Sequence, residues 1–144
     1  MHELRQRAFK TLTSAEPAVL KKFILKTRPP YKYSIIRPAQ TGLIMLRGRV
    51  GNTGNAFNVG EVLVTRCSVM LNDKIGCGYI LGENVEMAEH IAVIDAMIQN
   101  DNKSGKIKKL LDRIEKNIQK KRIKTMKEVA ATKVDFYTMV RGED

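Results

Sequence analysis

Gly42-Leu43-Ile44-Met45-Leu46-Arg47-Gly48-Arg49-Val50-Gly51-Asn52-Thr53-Gly54 is the stretch that decides the fold. An apolar strand pattern enters it. A second one leaves it, through Phe57, Gly60-Glu61, Val62-Leu63-Val64, Thr65-Arg66 and Val69-Met70-Leu71. Two β-prone runs flank a glycine- and asparagine-rich loop, the layout of a hairpin if the two strands pair. Arg47 and Arg49 share one strand face, because alternate side chains point the same way. Arg66 falls on that face or on the opposite one according to register, which the sequence leaves open. Gly51 and Gly54 permit positive φ, and backbone N–H groups of such loops can form an anion-binding concavity. The chemistry suggested for Arg47, Arg49, Gly51, Thr53, Gly54 and Arg66 is binding of phosphate, phosphonate or a partner's carboxylates. The ordinary alternative is a turn flanked by arginines that solvate a strand edge. The loop has no lysine-serine or lysine-threonine ending and no G-x-G-x-x-G, so it is not a nucleotide loop of those kinds.

Working outward, Glu3 to Leu12 reads as a helix, and Thr13-Ser14 or Ser14 alone can cap a second one with Pro17 in its first turn. Val19, Leu20, Phe23 and Ile24 give that helix an apolar face, and Arg28-Pro29-Pro30 ends it. Tyr33 to Arg37 is a first strand stopped by Pro38. Gly42 to Val50, Glu61 to Leu71 and Ile75 to Gly82 follow as three more, the last two joined by the short turn Asn72-Asp73-Lys74. Glu86 to Gln99 is a helix with Ala88, Ile91, Ala92, Ile94, Asp95 and Ile98 as its buried stripe. A long helix from Ser104 to Thr132 carries Ile107, Leu110, Leu111, Ile114 and Ile118 on one face and lysines elsewhere. The expected fold is one α+β domain. It has a small antiparallel β-sheet of about four strands, with N-terminal helices and two C-terminal helices packed on it. Its parts are a helical segment over 1–30, the sheet over 31–82, helices over 83–132 and a docking segment over 133–144.

Composition bounds the function. The 144 residues include 43% hydrophobic and 28% charged residues, the balance of a soluble globular protein. A chain of this size buries about 70% of its unfolded surface. No apolar run is long enough for a membrane span, and Met1-His2-Glu3-Leu4-Arg5 lacks a secretory pattern, so the expected compartment is the cytoplasm. Cys67 and Cys77 lie on neighbouring predicted strands and are expected as free thiols. With His2 and His90 they show no zinc-like spacing, and no metal is expected in this chain.

The net charge of +11 is concentrated. Lys103 to Lys127 holds eleven basic residues against Asp112 and Glu115, a net +9. This helix could track nucleic-acid phosphates or an anionic membrane face. No aromatics interleave the lysines to stack bases, and a solvated face is the preferred reading. A nucleic-acid-binding domain is carried as the alternative function. His90 could act as an acid or base, but lacks a nucleophile or metal partner in the sequence, and an ordinary histidine is preferred. Glu89 beside it could pair with an arginine of the sheet. Phe136, Tyr137, Met139 and Arg141 lie in an apolar terminal segment, which docks either on its own domain or in a partner. No catalytic triad or paired catalytic carboxylates can be assigned.

Three pieces of the chain resemble the PhnG subunit of carbon–phosphorus lyase: Gln40-Thr41-Gly42-Leu43 through Arg66; Gly78-Tyr79-Ile80-Leu81-Gly82 with Ala88-Glu89 and Ile94-Asp95-Ala96; and Val134-Asp135-Phe136-Tyr137-Thr138-Met139-Val140-Arg141-Gly142-Glu143-Asp144. They occur in the family's order from about Arg37 to the last residue, and the terminal run is the most specific. Asn52 stands where the family loop usually has a second glycine, and Met87 where it usually has a histidine. The resemblance implies an accessory subunit of a multi-subunit phosphonate-processing complex. ATP and an alkylphosphonate are the complex's substrates, and this chain holds no cofactor of its own. Methylphosphonate displaces adenine at the ribose C1 of ATP, giving ribose 1-methylphosphonate 5-triphosphate. A separate iron–sulfur radical subunit later breaks the carbon–phosphorus bond. The implied partners are the other core subunits, especially the nucleosidase-like one. Neither a membrane nor nucleic acid is expected as a partner, and independent catalysis is not expected. The arginines and the Gly51–Gly54 loop then hold a partner or help present an anion. Glu89, Phe136, Tyr137, Met139 and Arg141 become candidate interface residues.

Overall fold

The computed structural model describes residues 2–27, 33–51, 53–100 and 104–132. The elements are helices α1 (His2–Leu12) and α2 (Pro17–Thr27), strands β1 (Ser34–Arg49), β2 (Ala56–Leu71) and β3 (Lys74–Leu81), and helices α3 (Val85–Gln99) and α4 (Ser104–Ala131). The strands form one antiparallel sheet in the order β1-β2-β3. The architecture is α+β, as expected, with three strands rather than about four.

The difference lies at Pro38, which does not stop a strand. The two expected strands over Tyr33–Arg37 and Gly42–Val50 are the single strand β1. One register shift falls just before the proline, between Ile35 and Arg37, and a second spans it, between Arg37 and Gln40. Proline has no N–H for a ladder, but β1 lies at the sheet edge, where one donor can be missing without breaking the pairing. The second hairpin is the expected one: Leu71 pairs with Lys74 around Asn72-Asp73, and Asn72 takes the left-handed conformation at φ 53° that asparagine tolerates. Helix α2 starts at Pro17 rather than under a Ser14 cap. The N–H groups of Ser14 and Ala15 donate instead to Thr11 and Leu12 carbonyls, closing the end of α1.

Helix α3 is the centre of the molecule. Asn84 caps it, its side chain accepting from the Met87 N–H at 3.0 Å. Met87, Ala88 and every residue from Ile91 to Ile98 are buried, which takes in the expected stripe, because α3 is enclosed between the sheet and the other helices. It lies directly on β2 and β3, while α1, α2 and α4 pack onto α3. Helix α4 thus reaches the domain through α3 and α1 rather than by lying on the sheet. Ile107, Leu110, Leu111 and Ile114 of α4 join the core. Arg7 of α1 donates to Asp112 and Glu115 of α4 at 2.6 and 2.7 Å, fastening the two helices at the surface.

Two glycines set how closely α3 approaches. A Cβ on Gly78 would sit 1.9 Å from the Ala88 carbonyl oxygen, and one on Gly76 would sit 2.1 Å from that of Ala92. The obstacles are backbone atoms, which cannot swing aside. Cys67 pairs with Gly78 across the strands, so its side chain faces α3, while Cys77 pairs with Ser68 and faces away. The two thiols are therefore on opposite sheet faces, and both are free. Burial pushes the Cys67 thiol up from its ordinary value, as suits a core thiol.

Asp95 ties the layers together. Its carboxylate is 2% exposed. It accepts from Arg5 of α1 at 2.8 and 2.9 Å, from the Cys77 N–H of β3 at 3.0 Å and from Gln99 at 3.3 Å. The bond to Asp95 holds the Arg5 guanidinium above its ordinary pKa.

Two substitutions test this packing by urea unfolding. Gly78→Ala is expected to cost at least about 2 kcal/mol, since the backbone of α3 must move off the sheet. Asp95→Ala is expected to cost about 2–3 kcal/mol, from the orphaned Cys77 N–H and the lost Arg5 pair. The half-exposed arginine can turn to water, which keeps that figure at the low end. A midpoint unchanged by either substitution would contradict the assigned role.

Candidate functional site

The hairpin is longer than the rest of the sheet. Strand β3 pairs with β2 only from Val64 to Leu71, and beyond Val64 β2 has β1 alone beside it. Residues Leu43–Arg49 and Ala56–Leu63 therefore form a two-stranded arm, roughly 23 Å long at the usual rise per residue. Between Leu46 and Arg47 the register shifts, leaving Val59 as the extra residue of a bulge. The Val59 side chain occupies the space beside Gly48, where a Cβ would meet it at 2.7 Å.

At the tip, Arg47 pairs across from Asn58 and Arg49 from Ala56. Both arginines are exposed and on one face of the arm. Gly51 takes φ +55°, a conformation that favours glycine, and a Cβ on Gly54 would lie 2.6 Å from the Val50 carbonyl, so glycine suits both places for different reasons. The Thr53 N–H donates to Gly51 at 2.7 Å and the Gly54 N–H to Val50 at 3.0 Å. These two donors close the turn on itself. The tip's means of holding an anion are thus the guanidinium groups rather than those two amides. Arg49 also donates to the Gly54 carbonyl at 3.4 Å, which leans it over the loop.

The register places Arg66 elsewhere. It sits opposite Gln40 and Tyr79 in the three-stranded part of the sheet. Arg47 is seven residues from Gln40 along β1, about 23 Å by strand rise. Odd-numbered β2 residues Thr65, Cys67, Val69 and Leu71 are buried against the α3 side, so Arg66 points the other way. Thr41 pairs with Thr65, and alternation along β1 puts Arg47 and Arg49 on the α3 side of the sheet plane. Arg47, Arg49, Gly51, Thr53 and Gly54 come together; Arg66 stands apart.

Glu89 on α3 is partnered by a tyrosine rather than by a sheet arginine. Tyr33 donates to it at 2.8 Å. Burial first, and then that bond, push the Tyr33 hydroxyl up to about 12. Phe136, Tyr137, Met139 and Arg141 lie outside the described residues, as does Asn52. Met87 is buried in the core at the position where a histidine had been the pattern. His90, one turn along, is half-buried, and its Nδ1 has no hydrogen-bond partner. Burial lowers its pKa, against opposing pulls from Glu86 and Glu89. Among the described residues, no three His, Cys, Asp or Glu side chains are placed to hold a metal ion. No helix is long and apolar enough to cross a membrane.

Helix α4 divides in two. Its first half is packed, while Ile123, Met126 and Val129 of its second half are exposed among lysines and arginines. Lys121 is paired with Glu16, and Lys124 with Glu128 at 3.8 Å. No aromatic residue is present in α4.

What sequence reasoning passed over is the apolar surface of the arm. Leu43, Ile44, Met45 and Leu46 are all exposed. The signal was present: four consecutive apolar residues put hydrophobic side chains on both faces of a strand, the pattern of a strand covered on both sides. In the isolated chain this part of the sheet has no such cover among the described residues.

His90 supplies a pH test. A histidine whose folded pKa lies below its unfolded value contributes stability above the unfolded value, about 6.5, and that contribution is lost as pH falls through the folded one. The unfolding midpoint of the natural chain is expected to fall more steeply below pH 6.5 than that of His90→Gln. Parallel pH profiles would show that His90 does not resist protonation in the fold.

Residues 3–142 match the family described as "Phosphonate metabolism protein PhnG". A relative from Rhizobium meliloti (strain 1021), the "Alpha-D-ribose 1-methylphosphonate 5-triphosphate synthase subunit PhnG", is 37% identical over 110 residues, covering 76% of this chain and 70% of the relative.

Proposed function

The chain belongs to the PhnG family of phosphonate metabolism proteins, and from that premise we propose that it is an accessory subunit of a ribose 1-methylphosphonate 5-triphosphate synthase. The carrying observation is the family match over residues 3–142, nearly the whole chain. In the proposed reaction a phosphonate oxygen of methylphosphonate forms a bond to the ribose C1 of ATP. The C1–N9 bond breaks, and adenine leaves with its electron pair and takes up a proton. The triphosphate stays on C5. The catalytic groups come from partner subunits, with a nucleosidase-like subunit as the foremost partner, and the complex works in the cytoplasm.

The arm supports this reading. It places two exposed guanidiniums at the end of a preformed hairpin. Arginine suits bidentate contact with carboxylates, phosphonates and phosphates. The proposed role of Arg47 and Arg49, with the turn at Gly51, Thr53 and Gly54, is to hold a partner's carboxylates first, and only second to present an anionic substrate. Arg66 acts from the far side of the sheet and so belongs to a different contact.

The test is adenine release from ATP and methylphosphonate by the partner subunits, with and without this chain. Release is expected to depend on it. Arg49→Ala is expected to lower release or assembly about tenfold or more, the loss of one charge-assisted contact. Equal release without the chain would refute the subunit role and return weight to the Lys103–Lys127 helix as a nucleic-acid contact. Unchanged assembly and release with Arg49→Ala would remove the arm tip alone.

A further inference from the structure

The sheet has two faces, and among the described residues the helices cover only one. Residues paired across antiparallel strands point the same way, so the register sorts the side chains between them. Cys67, Val69 and Leu71 point at α3 together with Gly76 and Gly78. The opposite face carries Leu46, Phe57 and Val59 on the arm and Ile75, Tyr79 and Leu81 on β3. These side chains are 43–73% exposed. Val64 lies on the same face between the arm and β3, paired with Leu81, and is itself buried. Monomeric proteins rarely leave so extended an apolar patch in water. A sheet face of this kind normally packs against another layer.

Charge selects the occupant. Among the described strand residues, the charged side chains on this face are Arg37, opposite Ser68, and Arg66, opposite Gln40 and Tyr79. There is no Asp or Glu among them; Glu61 pairs with Met45 and belongs to the α3 side. A second copy would set this face against itself. Among the described strand residues, neither copy then offers a carboxylate to Arg66 or Arg37, and a desolvated, unpaired guanidinium is strongly unfavourable. Two chains of net charge +11 also repel. A different chain, with an apolar surface and carboxylates at the matching points, meets both demands.

We propose that the face of the sheet turned away from α3 is the seat of another synthase subunit, whose apolar surface carries carboxylates opposite Arg66 and Arg37. This rests on the reading of the chain as a synthase subunit. The contact is separate from the arm tip, because Arg47 and Arg49 point to the other side of the sheet.

The experiment is assembly of the full chain with its sister subunits, followed by native mass spectrometry and titration. Val59→Glu and Leu81→Asp place a carboxylate on the bare face at exposed positions, where the fold has little to lose. Each is expected to weaken assembly tenfold or more. Arg66→Glu is expected to do the same and Arg66→Lys to retain most of the binding, while Lys116→Glu on α4 leaves it unchanged. Assembly within twofold of the natural chain for Val59→Glu, Leu81→Asp and Arg66→Glu overturns the proposal. Oxidative footprinting of the natural chain needs no variant. Phe57 and Tyr79 are expected to be oxidised several-fold faster in the isolated chain than in the complex. Slow oxidation in the isolated chain overturns the proposal in favour of cover by residues 133–144 or by a second copy, and sedimentation separates those two. Adenine release distinguishes the levels. If release needs the chain but ignores these variants, only the bare-face contact falls. If the natural chain neither assembles nor affects release, the subunit reading falls with it.

Discussion

A single buried carboxylate holds this fold in register. Asp95 lies on the helix at the centre, and three other parts of the chain donate to it: Arg5 from the N-terminal helix, the Cys77 N–H from the last strand, and Gln99 from the next turn of α3. A buried charge is tolerated only when its lone pairs are used, and these four bonds use them. The arrangement fixes α3 along the strand direction as well as against the sheet. A slip of α3 by one residue would separate Asp95 from the Cys77 amide and bring the Gly76 and Gly78 notches out of step with Ala92 and Ala88. The polar anchor and the two glycine contacts thus specify the same placement, which is how a small domain obtains one packing rather than several.

That placement decides what is left outside. One helix can cover only the width of β2 and β3 on one face. The remaining helices then pack on α3 and each other, not on the sheet. The hairpin beyond Val64, and most of the opposite face outside Val64, is therefore without helix cover among the described residues. The apolar area exposed among the described residues is a consequence of a core built around one helix.

How much of this could be read from residues alone varies with the kind of signal. Helices α3 and α4 follow from periodicity, and the β2–β3 hairpin from two apolar runs separated by Asn72-Asp73, because both signals are local. Pro38 misled because proline's effect depends on whether its strand is central or at an edge, which is a tertiary fact. Arg66 looked like a neighbour of Arg47 and Arg49 because all three flank one loop. Only the register, with its bulge at Val59, separates them by most of the length of the arm. Glu89 appeared as a partner for arginine, and Tyr33 reaches it first. Gly76 and Gly78 gave no sign of their importance, since a glycine that admits a helix backbone looks the same in sequence as one that merely turns.

The arm's physical difficulty explains its design. A two-stranded ribbon on its own is marginal in water. Here its root continues into the three-stranded sheet, and its tip is closed by the Thr53 and Gly54 amides, so the ends that would fray are fixed. A partner that covers it then finds the strands already ordered and forfeits less entropy on binding. The same preformed apolar surface would invite self-association. The net charge of +11 opposes that at long range while attracting an acidic surface. Much of that charge lies on the solvated faces of α4, remote from the bare sheet face in the chain's layering, where it can act as a field without being buried. On the proposal that the bare face seats a different chain, the two features act together: the charge of the lysine-rich helix opposes pairing of like copies, and the sheet face left open by the described residues stays available to that chain.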